Sequence, residues 1–168
     1  RDATTRLDSF FSSRIFHADM QAGGSLAQAF ADWFVDQTVH RDVVRDLPPA
    51  LIRAGCRVRV IVPSYGAFHR RPGAVLLERI RGTFAGGPFE ATAWRLPSDL
   101  DGLEQVAIDH SLLCPGQPGE IYHSDPPDRP FETDSTKFAF FCAAIAAWLE
   151  QVEAPPDLVH LHDWHTGL

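Results

Sequence analysis

Apolar residues recur at helical spacing in three stretches of the chain. Along residues 26–40, Leu26, Phe30, Trp33 and Phe34 fall on one face, with Ser25 placed to cap the first turn. Along 41–55, Val43, Val44, Leu47, Leu51 and Ile52 keep the same spacing, and Gly55 is a natural stop after the last turn. Pro48-Pro49 inside that pattern predicts a kink or a restart, because proline removes an amide donor and clashes with the preceding turn. Along 137–151 the stripe is Phe138, Phe141, Cys142, Ile145 and Leu149, and Thr133-Asp134-Ser135-Thr136 offers several N-caps.

Other stretches alternate or are apolar without a break. Residues 56–62 (Cys-Arg-Val-Arg-Val-Ile-Val) are β-branched, alternate basic with apolar, and end in an apolar triplet; they read as the clearest strand. Residues 14–18 form a shorter strand candidate. Pro63-Ser64-Tyr65-Gly66 opens an excursion over 67–88 that holds one weak strand or helix, 75–80. Residues 89–96 and 104–109 read as strands separated by the turn-rich 97–102. A loop rich in Pro, Gly and Asp runs over 114–131 around a lone Tyr122, and loops of that length are commonly functional. Residues 158–161 read as a last buried strand. Strands alternating with helices predict an α/β fold: one Rossmann-like unit over 14–168, a parallel sheet with helices on both faces. Residues 1–13 read as a disordered or processed N-terminal segment.

Composition narrows the function. The 168 residues carry a net charge of −7, which argues against a non-specific nucleic-acid binder. No apolar run has the length of a transmembrane helix, so no membrane partner is expected. Cys56, Cys114 and Cys142 show no zinc or redox spacing and fit a reducing, cytoplasmic setting.

The candidate chemistry crowds the last strand. Apolar residues 158–161 break into His162-Asp163-Trp164-His165, and open α/β sheets collect ligands at the carboxyl ends of their strands. His160 and His162 are two apart on a strand and so share a face. The block is close to a His-x-His-x-Asp-His zinc motif, but its aspartate stands one place early; a zinc-dependent hydrolase is therefore an alternative reading and no metal is expected. His160 reads as a core residue. His165 sits beside an expected helix start, where anions and hydroxyls are favoured. Gly23-Gly24 allows close approach to a phosphate and equally makes an ordinary turn. Asp42, Asp46 and Asp134 read as solvated or capping carboxylates.

Two motifs add a family. Asp42 to Gly66, with its Asp-Val-Val start and Val-Ile-Val-Pro-Ser-Tyr-Gly end, resembles bacterial glycogen and plant starch synthases. So does Val159-His-Leu-His-Asp-Trp-His-Thr-Gly167, with Ile108-Asp-His110, the Tyr122 turn and Thr133–Phe141 in the family's order between them. The resemblance covers residues 42–168. It implies the N-terminal half of a GT-B glycosyltransferase, whose C-terminal half is absent from this sequence. It also implies retaining transfer of glucose from ADP-glucose to the non-reducing end of an α-1,4-glucan, without a metal or other cofactor.

By resemblance, His165 is the catalytic position at the donor glucose. Gly23, Gly24, Asp42, Tyr122, Asp134, His162, Asp163 and Trp164 are the substrate-binding positions. The family's glycine loop carries a lysine where this chain has Gln21, and residues 17–41 are atypical. The expected partners are ADP-glucose, the glucan and the missing half, and the fragment alone is expected to be inactive. A non-catalytic glucan-binding remnant is the alternative from another class, and a transferase with a different nucleotide-sugar donor is a further one.

Overall fold

A computed structural model of the chain describes residues 15–20, 43–162 and 164–167. Its elements are β1 (Ile15–Met20), α1 (Val43–Arg53), β2 (Cys56–Pro63), β3 (Val75–Phe84), β4 (Gly87–Leu96), β5 (Leu103–Asp109), α2 (Glu132–Gln151) and β6 (Leu158–Leu161), with short 3-10 turns between. The expected helix over 26–40 lies outside the described residues.

Among the described residues the six strands form one sheet in the order β3-β4-β5-β2-β1-β6. The expectation of a parallel sheet is corrected here: only β2 and β5 are parallel neighbours, and the other neighbouring pairs run antiparallel. The reason is local. β3 and β4 are joined by the two-residue turn Ala85-Gly86, with φ of 50° and 79°. Such a turn matches the twist of a hairpin and permits only antiparallel pairing. β1 runs between β2 and β6 against both. The excursion over 67–88 thus contains a full ten-residue strand, and the Ala-Gly-Gly at its end is the turn signal.

Helices do lie on both faces. On one, Leu47 and Leu51 of α1 pack on Val58, Val60 and Val62 of β2 and Ala107 of β5. On the other, Phe140, Phe141, Ala144, Ile145 and Trp148 of α2 pack on Ile61, Ile80, Ala91, Ala93, Val106 and Ile108. The alternation along β2 and β5 sends successive side chains to opposite cores. α2 approaches β3 so closely that a Cβ added at Gly82 would meet the Phe89 ring at 2.7 Å and the Ala147 Cβ at 2.9 Å.

Two local expectations change. α1 runs through Pro48-Pro49 as one helix, where the sequence predicts a kink or restart. Leu47 and Leu51, fully or almost fully buried on either side, hold it to the sheet despite the missing amide donors. α2 begins at Glu132, five residues before the predicted start, so the expected caps lie inside its first turns. Its entry is fixed from outside by Asp125, which accepts from the Thr133 amide at 2.9 Å and from the Thr133 hydroxyl. These bonds hold the Asp125 carboxyl below its usual range, the Thr133 hydroxyl contributing most.

Candidate functional site

The site gathers where β2 and β5 end, beside the first turns of α2. β2 gives way to Ser64-Tyr65-Gly66, and both Tyr65 (φ 49°) and Gly66 (φ 65°) are left-handed. A left-handed backbone at a bulky residue such as tyrosine is a strained arrangement that the surroundings must hold. Here Tyr65 is almost wholly buried, and its carbonyl accepts from the Gly119 amide at 2.7 Å. That bond lays the 114–131 loop across the strand end.

A buried ion pair fixes the same loop to α2. Lys137 Nζ lies 2.6 Å from Asp134 Oδ1, with side-chain exposures of 1% and 0%. The Asp134 carboxylate also accepts from the His123 amide, at 3.1 and 3.2 Å. Lys137 donates in addition to the Ile121 carbonyl and stands 4.9 Å from the Phe138 ring centre. A buried pair survives desolvation only when further hydrogen bonds satisfy its remaining atoms, and both partners have them. Asp134 is therefore a buried anchor for the residues flanking Tyr122, where the sequence alone suggested a solvated or capping carboxylate.

That anchoring puts Tyr122 against His165. The phenol oxygen is 2.8 Å from His165 Nε2, and the His165 ring packs edge-on to Phe138 with centroids 4.5 Å apart. With the ring proton on Nδ1 the phenol donates; with it on Nε2 the imidazole donates. His165 is 2% exposed. Its backbone carbonyl faces the Cys142 thiol at 3.6 Å, and the His162 amide donates to Thr166 Oγ1 at 2.6 Å. These bonds turn the end of β6 into the 3-10 turn Trp164–Thr166.

Of the sequence-derived site residues, the structure thus brings together Tyr122, Asp134 and His165, with His162 one turn away through its backbone. Gly23, Gly24, Asp42 and Asp163 lie outside the described residues, and Trp164 enters only as backbone. The His160 and His162 rings are 5.8 Å apart, and burial pushes the His160 imidazole below its ordinary pKa. Among the described residues, no three His, Cys, Asp or Glu side chains are grouped to hold a metal ion.

Sequence reasoning missed Lys137, His123 and a second polar cluster. A lysine at the edge of an apolar helical stripe reads as solvent-facing, and only its i,i+3 spacing from Asp134 hinted at a pair. In the second cluster, Ser64 Oγ and Asp109 Oδ1 lie 2.7 and 3.0 Å from the same atom, His69 Nδ1. Arg70 Nε donates to His69 Nε2 at 3.2 Å. Nε2 is then the acceptor and Nδ1 carries the proton, so the ring has no lone pair facing Ser64. A relay in which histidine takes the serine proton needs serine and aspartate on different ring nitrogens. The cluster instead ties the turn after β2 to the end of β5.

Comparison with known proteins gives the chain a family. A family model described as the starch synthase catalytic domain matches residues 42–168. The chain is similar to a glycogen synthase of Aeromonas hydrophila, 35% identical over 132 residues, covering 76% of this chain and 25% of that protein. It is also similar to glycogen synthases of Hydrogenobaculum sp. (29% over 127 residues) and Desulforamulus reducens (32% over 127 residues), with the same shares covered. The chain spans about a quarter of the length of these curated relatives.

Proposed function

The chain belongs to the starch synthase catalytic domain family of glycosyltransferases, and we propose that it forms the N-terminal, acceptor-side half of a GT-B cleft. In the longer protein this half serves transfer of glucose from ADP-glucose to the non-reducing end of an α-1,4-glucan in the cytoplasm, with retention and without a metal. The observation that carries this reading is the Tyr122–His165 hydrogen bond at the carboxyl ends of the strands, fixed by the buried Asp134–Lys137 pair.

The geometry is compatible with this chemistry. Glucosyl transfer passes through a cationic, oxocarbenium-like state, and oriented polar groups lower its energy when they need no reorganisation. A buried imidazole already bonded to a phenol is such a group, able to orient a sugar hydroxyl. Its Phe138 wall keeps bulk water from the ring. Gly23-Gly24 and Asp42 would meet the donor, and Asp163 and Trp164 would line the cleft beside it. Gln21 in place of a lysine weakens phosphate binding on this half. Without the opposing half the transition state is neither enclosed nor neutralised, so residues 1–168 alone are catalytically silent.

The test is an assay of glucose transfer from ADP-glucose and from UDP-glucose to glycogen, on the full-length chain and on residues 1–168. Full-length protein is expected to transfer from ADP-glucose, and His165→Ala to lower the rate by about a hundredfold or more. Wild-type rates in His165→Ala would remove the catalytic assignment, and transfer by residues 1–168 alone would overturn the requirement for a second half. The alternative reading is a non-catalytic glucan-binding remnant. Retardation of residues 1–168 in glycogen-containing native gels, with no longer product in the source cell, would favour it.

A further inference from the structure

Outside this site lies a cavity of about 540 Å³ at the other end of the same strands. Arg57 and Arg59 reach it from the start of β2, Glu104 from the start of β5, and Arg95 from the end of the antiparallel β4. Gly73, Pro97, Ser98, Gly102, Ala154 and Pro156 complete much of its wall. It therefore opens at the amino-terminal rim of β2 and β5, while Tyr122 and His165 lie at the carboxyl rim.

Its charge runs against that of the chain. The protein is net −7, yet in this lining Arg59 and Arg95 share a single carboxylate, Glu104. Arg59 and Glu104 are direct partners across the parallel pair, and their side chains meet at 2.6 Å. Arg95 reaches the other oxygen of the same carboxylate at 3.2 Å. One carboxylate thus faces two guanidiniums, and a cation remains in excess. Arg59 is held in place as well: its guanidinium stands 5.2 Å from the Trp148 ring centre. A guanidinium stacked and hydrogen-bonded in this way loses little freedom on taking an anion, and its fork matches phosphoryl oxygens.

We propose that this cavity binds a phosphorylated metabolite of hexose size, with the phosphoryl group on Arg59 and Arg95. Its volume is within the range of small-molecule sites and far exceeds a bare phosphate. Among the described residues the lining contains no aromatic ring on which a nucleobase would stack, which favours a sugar phosphate over a nucleotide. The Ser98 hydroxyl is the group in the lining placed to meet a sugar hydroxyl. The inference does not rest on the transferase reading, because the two sites share no residue.

The test titrates 15N-labelled protein with glucose 1-phosphate, inorganic phosphate and glucose in turn, following the amides of residues 57–59, of 95, 96 and 98, and of 102–104. Glucose 1-phosphate is expected to shift all three groups, inorganic phosphate to bind the same arginines more weakly, and glucose to shift none. Arg95→Gln should weaken glucose 1-phosphate about tenfold, the worth of one charge-assisted hydrogen bond. Glu104→Gln should tighten it, by removing the competing carboxylate; a merely structural role predicts no tightening. Arg95 is 56% exposed, so its variant keeps the fold, which a thermal melt verifies. Should Glu104→Gln fail to fold, Arg95→Glu replaces it and is expected to abolish binding. The proposal is overturned by unmoved amides at millimolar glucose 1-phosphate, by an equal response to glucose, or by inorganic phosphate binding as tightly as the sugar ester.

Discussion

The two ends of β2 and β5 hold similar charges under opposite conditions. At the carboxyl rim, Lys137 and Asp134 are removed from water and bonded on several sides. At the amino rim, Arg59, Arg95 and Glu104 are 32%, 56% and 28% exposed and line an open cavity. Coulomb attraction is strong where water is excluded and weak where it is not. The first arrangement is therefore an architectural part that fixes a loop, and the second is a surface free to exchange its partner for a ligand. The presence of an ion pair says little about its role until its burial is known.

Mutation should separate the two rims. Lys137→Ala leaves Asp134 buried without its cation and should destabilise the fold by about 3–5 kcal/mol in chemical denaturation. Replacing Lys137 and Asp134 together by Met and Leu should recover much of that loss. A destabilisation below about 1 kcal/mol for Lys137→Ala would show that water reaches the pair, and the contrast between the rims would fail.

The helix that links the rims gives a smaller effect. Gly82→Ala places a methyl against Phe89 and Ala147, and overpacking of this kind costs about 1–3 kcal/mol. A neutral result, measured in the same denaturation series, would mean that α2 can lift from β3 without loss.

Acid should act on the carboxyl rim. Burial, partly opposed by the Asp109 charge, pushes His110 below its ordinary pKa, and burial does the same to His160. In each case the unfolded chain takes up protons at a pH where the folded chain does not, so stability falls as the pH drops below about 6.5. His110 Nδ1 accepts from the Leu112 amide at 3.2 Å, and its ring stacks on Phe140 with centroids 4.3 Å apart. His110→Asn keeps an acceptor there without a titrating group. Unfolding free energies between pH 8 and pH 5 should decline less in that variant; equal slopes would remove His110 from the explanation.

The smallest effect belongs to the amino rim. Arg95→Gln should change stability by less than about 1 kcal/mol, as expected for an exposed pair, and high salt should erase the difference. A larger loss in the same denaturation series would place Arg95 among the structural parts.

Particular residues show how far the sequence could be read. Val58, Val60 and Val62 announced β2 because alternation with a two-residue period is a property of the chain itself. The order His-Asp-Trp-His after an apolar strand marked His165, and the same motif marked the family. β3 was obscured because only Ile80 of its ten residues is buried, so its pattern carries little apolar contrast. Alternating strands and helices predict a parallel sheet, whereas the two-residue turn at Ala85-Gly86 forces β3 and β4 to run antiparallel.

Periodicity, turn residues and local motifs thus determined which segments are helix or strand and which strand end carries the histidine. Strand order and direction came from tertiary structure, since they depend on pairings between residues far apart in the chain. So did the environment of each charge. Asp134 and Glu104 are both ordinary carboxylates in the sequence. One is buried beneath a loop and the other lies in a basic cavity, because burial is a property of what folds over a residue rather than of the residue itself.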